Sequence, residues 1–119
     1  LNPALARLGA RFLAAGRTAS AYRMIALPGG PPARPGLVRV GQGGGAVDLE
    51  LWAIPRRAVG DLLADIAPPL GLGSVELADG RVVKGFICEG HAREGAEDIT
   101  EFGGWRAYLA AGGSHTDTA

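Results

Sequence analysis

The chain predicts an α+β fold, a mostly antiparallel curved sheet or small barrel with flanking helices. Three observations carry that prediction. Across residues 46–54 polar and apolar side chains alternate. Val47, Leu49, Leu51 and Ala53 share one face, and Asp48, Glu50, Trp52 and Ile54 the other. Two apolar runs meet at Asp79-Gly80, a dipeptide suited to a tight hairpin turn. Further on, Asp98 and Glu101 have the spacing of a helix N-cap and its reciprocal partner, beside Phe102, Trp105 and Tyr108.

The elements follow in order. Asn2-Pro3 opens a helix, with Asn as cap and Pro in the first turn. Leu5, Leu8, Phe12 and Ala15 recur every three or four residues, so the helix is expected to run on to Gly16. Arg7 and Arg11 lie four apart on its solvated face. Residues 21–27 read as a strand with Tyr22 on the side of Met24, followed by a Pro/Gly-rich loop to Pro35. A second strand covers 37–40. Gln42-Gly43-Gly44-Gly45 is a hairpin connection without the Lys-Ser/Thr of a phosphate loop. After the alternating strand, residues 56–66 form a helix with Val59, Leu62, Leu63 and Ile66 apolar, ended by Pro68-Pro69. Leu70-Gly71-Leu72-Gly73 reads as a loop, and 74–78 and 81–89 as the strands of the hairpin. A polar connection over 91–97 leads to the last helix. Gly103 and Gly104 cost about 1 kcal/mol each if helical. Such a penalty is tolerated where a backbone must approach a neighbour closely. Residues 1–111 form one domain and 112–119 a flexible tail.

Composition narrows the function classes. In 119 residues, 12 basic and 12 acidic side chains cancel and are interspersed, so no cationic face for nucleic acid or a membrane surface is expected. No apolar run reaches the roughly 20 residues that span a bilayer. A single cysteine, Cys88, rules out an internal disulfide and fits a reducing, cytoplasmic compartment. The only methionine is Met24, so a piece of a longer protein is expected. Loops and edge strands offer contacts for a homo-oligomer.

Several residues are candidates for chemistry. Asp48, Glu50 and Trp52 either face water or line a cavity inside a barrel. Lys84, the only lysine, shares a strand face with Val82, Phe86 and Cys88. It is either partnered in the interior or extended from an edge. A Lys84–Glu50 pair in the cavity is one expectation. Tyr22 is a core tyrosine or a proton donor, and Arg17 a carboxylate clamp or a helix C-terminal cap. The turns Leu27-Pro28-Gly29 and Leu70-Gly71-Leu72-Gly73 present peptide N–H groups that could cradle an anion, if they are not plain turns. His91 has no second histidine or cysteine at metal spacing, Cys88 reads as a small core residue, and neither metal nor cofactor is expected.

Taken together, these segments resemble the C-terminal domain of allophanate hydrolases. The resemblance rests on Leu1-Asn2, Leu8-Gly9-Ala10-Arg11-Phe12, Arg17-Thr18-Ala19, Tyr22-Arg23 and Ala26-Leu27-Pro28-Gly29. It continues through Pro35-Gly36-Leu37-Val38-Arg39-Val40, Glu50-Leu51-Trp52, Pro69-Leu70-Gly71-Leu72-Gly73 and Val83-Lys84-Gly85-Phe86. It closes on Asp98-Ile99-Thr100-Glu101-Phe102-Gly103-Gly104-Trp105-Arg106. It implies a γ-glutamylcyclotransferase-like fold and an upstream amidase domain as partner. It also implies a small anionic substrate, the N-carboxycarbamate left by amide hydrolysis, which this domain would decarboxylate in urea degradation. Lys84, Tyr22 and Glu50 would be the catalytic groups; Arg17, Leu27, Pro28, Gly29, Gly71 and Leu72 would bind substrate. A non-catalytic assembly module and a free-standing cyclotransferase-like enzyme are the alternatives. The glutamate of the cyclotransferases is missing after the middle helix, where this chain reads Asp65-Ile66-Ala67-Pro68.

Overall fold

Strand β2 (Tyr22–Leu27) is the strand around which the others gather, and only Arg23 in it is not buried. A computed structural model describes residues 2–29 and 34–112. Leu1, part of the expected Pro/Gly-rich loop and most of the expected tail lie outside the described residues. The element order is α1 (Asn2–Arg7), β1 (Arg11–Arg17), β2, β3 (Arg34–Arg39) and β4 (Asp48–Ala53), then α2 (Val59–Ala64). The hairpin β5 (Leu70–Glu76) and β6 (Val82–Cys88), the short β7 (Glu97–Asp98) and α3 (Trp105–Ala110) complete it.

All paired strands are antiparallel, in sheets β1-β4, β3-β2-β7 and β5-β6. The α+β class therefore holds, with open sheets among the described residues in place of a closed barrel. Alternation divides β2 between two cores. Met24 and Ala26 pack with Val47, Ile99 and Tyr108, while Ile25 and Leu27 pack with Val38 and Cys88 on the opposite face.

The first helix is shorter than its apolar spacing suggested. Its end is a Schellman motif: Gly9 N–H donates to the Ala6 carbonyl and Ala10 N–H to that of Leu5, both at 3.0 Å. Gly9 has φ +83°, a left-handed conformation that glycine adopts without penalty. The chain then turns into β1, where helical spacing had suggested more helix. Phe12 now lies opposite Trp52, their rings edge to face at 5.7 Å. Spacing of three and four is not unique to helices when a strand carries few buried side chains. β1 has none, and the extra residue at its register shift between Phe12 and Ala14 disturbs its period of two.

Residues 70–73, expected as a loop, are the first half of β5, paired Leu70↔Cys88 to Gly73↔Gly85. At the hairpin tip Gly80 has φ +91° and donates to the Leu77 carbonyl at 2.9 Å, while Asp79 has no positive φ, so glycine alone takes the left-handed position of the turn.

The C-terminal cap is divided. Asp98 Oδ1 does accept a hydrogen bond from the Thr100 amide at 3.0 Å, but only a 3₁₀ turn, Thr100–Phe102, follows. Gly103 (φ +85°) ends that turn and α3 starts at Trp105. Gly104 alone answers the close-approach expectation: a Cβ on it would come within 2.9 Å of Asp48 Cβ. Tyr108 is buried between Trp105 and Phe102, with ring centroids at 5.2 and 5.3 Å. Phe102 itself remains 42% exposed, so two of the three aromatics dock as expected.

Arg23 grips Asp98 with two parallel bonds of 2.9 Å, joining β2 to β7. That hydrogen-bonded guanidinium, with help from the Thr100 amide, holds the Asp98 carboxyl down at about 2 against the opposing effect of burial.

Two predictions follow from these contacts. Gly9→Ala forces a left-handed conformation on a residue with a Cβ and should cost about 1–2 kcal/mol of stability, read from urea melts. Asp98→Asn should cost about 1 kcal/mol near pH 7, allowing for solvent screening of the pair. A carboxyl depressed by folding stabilises fully above its unfolded value of about 4. The wild-type advantage should therefore shrink below pH 4 and vanish as pH falls through about 2, measured as the difference between paired melts.

Candidate functional site

The β5–β6 ladder sets the geometry of the most polar constellation that reaches the core. Glu76 and Ser74 are two residues apart and share a face; Lys84 lies opposite Ser74 and joins them. Lys84 Nζ donates to Ser74 Oγ at 3.0 Å. Glu76 Oε1 accepts from Arg39 Nη2 at 2.9 Å. Beneath that pair stands the Tyr22 hydroxyl. It accepts the Glu76 amide at 2.9 Å and Arg39 Nη1 at 3.2 Å, with the guanidinium 5.5 Å from the ring centre. The ring is buried, so a core side chain delivers its oxygen to a half-exposed ion pair.

Two donors already converge on that oxygen, and its own proton has no acceptor within hydrogen-bond reach among the described residues. A phenol so placed can give up a proton, with Arg39 and an amide dipole present to meet the charge left behind. Tyr22 and Lys84, two of the sequence candidates, thus both lie at the hairpin, Tyr22 through the Glu76 amide and Lys84 through Ser74. Arg39 and Glu76 complete the group. Neither stands out in sequence as a candidate for chemistry. Their signal was the register, since Arg39 stands opposite Tyr22 across β2–β3.

The other candidates lie elsewhere. Glu50 is on β4, where Oε2 accepts Arg106 Nη2 at 2.7 Å and Oε1 accepts Trp52 Nε1 at 3.2 Å. The expected Lys84–Glu50 pair is therefore not formed. The two residues occupy separate sheets, and each has a nearer partner. Arg17 does not cap a helix. It is the last residue of β1, bound to Asp48 Oδ1 at 2.8 Å and to the Ala46 carbonyl at 3.3 Å. Gly71 and Leu72 are ladder residues without positive φ, so the anion nest expected of a loop has no backbone to form it. Leu27 ends β2 as a buried residue, Pro28 and Gly29 are exposed, and Gly29 keeps φ +91°. Cys88 is buried in the core against Val38, and desolvation pushes its thiol up.

Toward its other end, the same hairpin face carries Leu70 and Phe86 into a cavity of about 290 Å³ shared with α1 and α2. Leu8, Leu62 and Ile66 supply further apolar wall, and Arg7, Arg34 and Asp65 its charge. Arg7 had been read as a solvated helix residue. It also borders a shallower polar depression with Arg57 and Asp61.

An α+β domain with a charged hairpin face and an apolar cavity at one end is the class these features define. Residues 1–110 match the family described as allophanate hydrolase C-terminal domain, and the chain belongs to that family. It is 42% identical over 109 residues to a urea amidolyase of Saccharomyces cerevisiae, covering 88% of this chain and 6% of that protein. Among solved structures, Kluyveromyces lactis allophanate hydrolase superposes with a TM-score of 0.88 at 41% identity, covering 93% of this chain and 19% of that one. The uropathogenic E. coli-specific protein c4763 superposes at 0.84 with 36% identity, covering 92% of this chain and 84% of its own. The chain thus spans only a small part of the urea amidolyase it matches and most of c4763. No helix among the described residues is long and apolar enough to cross a membrane.

Proposed function

We propose that this chain serves as the C-terminal domain of an allophanate hydrolase in cytoplasmic urea degradation. There it assists the loss of carbon dioxide from the N-carboxycarbamate left by an amidase partner. Family membership supports the setting. The single observation that carries the chemistry is the Tyr22 hydroxyl beside Arg39, with two donors on its oxygen and no acceptor for its proton among the described residues.

In the proposed step the C–N bond to one carboxylate breaks. Its electron pair stays on nitrogen, which takes a proton as carbon dioxide departs and carbamate remains. A dianion needs cations to hold the carboxylate that stays and an acid near nitrogen. Arg39 and Lys84 suit the first need and Tyr22 the second. Glu50, Arg17 and the Leu27-Pro28-Gly29 turn lie outside this constellation and would act on substrate only from another part of the surface. A γ-glutamylcyclotransferase-like ancestry of the fold belongs to the same reading.

A second reading, assembly with the amidase part or with another copy, is favoured by one observation. Phe12 and Leu13 stand about half exposed (49% and 52%) on the two-stranded β1–β4 ribbon. Apolar side chains so placed suit a protein contact.

Isotope-resolved carbon dioxide release from allophanate, with an amidase part alone and then with this chain added, separates the two. Addition of the chain should accelerate release. Tyr22→Phe should lower that gain about a hundredfold and Lys84→Ala by a smaller factor, with circular dichroism confirming that both variants fold. Release unaffected by the chain would defeat the decarboxylation reading and leave assembly through the ribbon.

A further inference from the structure

The cavity at the far end of the hairpin face has chemistry unlike that of the Tyr22 group. Leu62 on α2, Leu70 on β5 and Phe86 on β6 make an apolar wall, while Arg7 from α1 and Arg34 from β3 contribute guanidinium groups. Among the described residues, neither arginine has a carboxylate within ion-pair distance, although five arginine–carboxylate pairs form elsewhere. Among the described residues of the lining Asp65 is the one acid, against two arginines.

That balance selects the ligand. A neutral apolar molecule would leave the excess positive charge beside a desolvating wall without compensation. A small dianion would lie against Asp65 and leave the apolar wall uncovered. A monoanion with an apolar body satisfies both demands. The volume of about 290 Å³ is ample, since a dry cavity of about 150 Å³ already accommodates benzene.

We propose that this cavity binds a small monocarboxylate with an apolar body. The carboxylate lies between Arg7 and Arg34, and the body rests on Leu62, Leu70 and Phe86. Guanidinium forks suit a carboxylate in geometry as well as charge. The site lies at the opposite end of the hairpin from Tyr22 and Arg39, and the proposal does not rest on the decarboxylation reading.

Benzoate is the probe, titrated into the ¹⁵N-labelled 119-residue chain, with benzyl alcohol as its neutral counterpart and benzylamine as its cationic one. Saturable amide shifts are expected at Leu62, Ile66, Leu70 and Phe86, with benzoate binding about tenfold more tightly than benzyl alcohol and benzylamine not binding. Arg34→Gln and Arg7→Gln should each weaken benzoate severalfold, while Leu62→Trp, which fills the cavity, should abolish it. The dispersion of each spectrum reports whether the variant is folded. Tyr22→Phe should bind benzoate as the wild type does, which separates this test from that of carbon dioxide release. Equal binding of benzoate and benzyl alcohol, shifts centred away from the cavity, or loss of neither affinity in the arginine variants would overturn the proposal.

Discussion

Complete hydrogen bonding of a strand buried on both faces is the constraint on which the rest of this structure depends. β2 cannot leave peptide groups unpaired once water is excluded from its sides. One edge is met by β3, from Tyr22↔Arg39 to Leu27↔Arg34. The other has no long strand to meet it and is completed piecemeal. Gly45 exchanges both bonds with Tyr22, at 2.8 and 3.2 Å. Thr100 Oγ1 accepts the Met24 amide at 2.8 Å, and the Ile99 amide donates to the Met24 carbonyl at 2.7 Å. β7 pairs with Ile25 and Ala26. Segments from the middle and the end of the chain are therefore drawn to a single strand. Both cores form against it.

The chemistry inherits its geometry from this arrangement. Tyr22 begins the buried strand, so its ring is fixed by packing and its hydroxyl meets the hairpin where β2 starts. Arg39 is its neighbour across β2–β3, and from the hairpin Glu76 meets Tyr22 through its backbone amide and Arg39 through its carboxylate. The hydroxyl therefore joins the β2–β3 sheet to the β5–β6 hairpin. A group with that structural duty is held more rigidly than a surface side chain of the same type, and rigid placement suits the proton-donor role proposed for it.

Much of this was legible in the sequence. The strand β4, the Asp79-Gly80 hairpin and the facing of Lys84 with Phe86 and Cys88 are read from local pattern, and the structure keeps them, although burial along β4 does not alternate. The helix continued past Gly9 was a misreading of a different kind. Two glycines, Gly9 and Gly16, could each have ended it, and only pairing with β4 shows that the chain is extended between them. Leu70-Gly71-Leu72-Gly73 looked like a loop for a related reason. Glycines that signal a turn in isolation also occur in a strand, and here a Cβ on Gly73 would collide with Ile87 across the ladder.

By itself the sequence determined the fold class, the hairpin, the strand faces and the resemblance that the family match bears out. These are properties of periodicity, turn chemistry and segment order, all carried by residues close together in the chain. Only the tertiary structure decided which charged groups share a site. It set Glu50 against Arg106 and Arg17 against Asp48, left Lys84 with Ser74, and drew Arg39 and Glu76 to Tyr22. It also gathered Arg7, Arg34 and Asp65 around an apolar wall built from five separate elements and their flanks. Charged side chains carry little positional signal of their own, because water satisfies them almost anywhere on a surface. Their partners are chosen last, by where the buried strands bring the backbone.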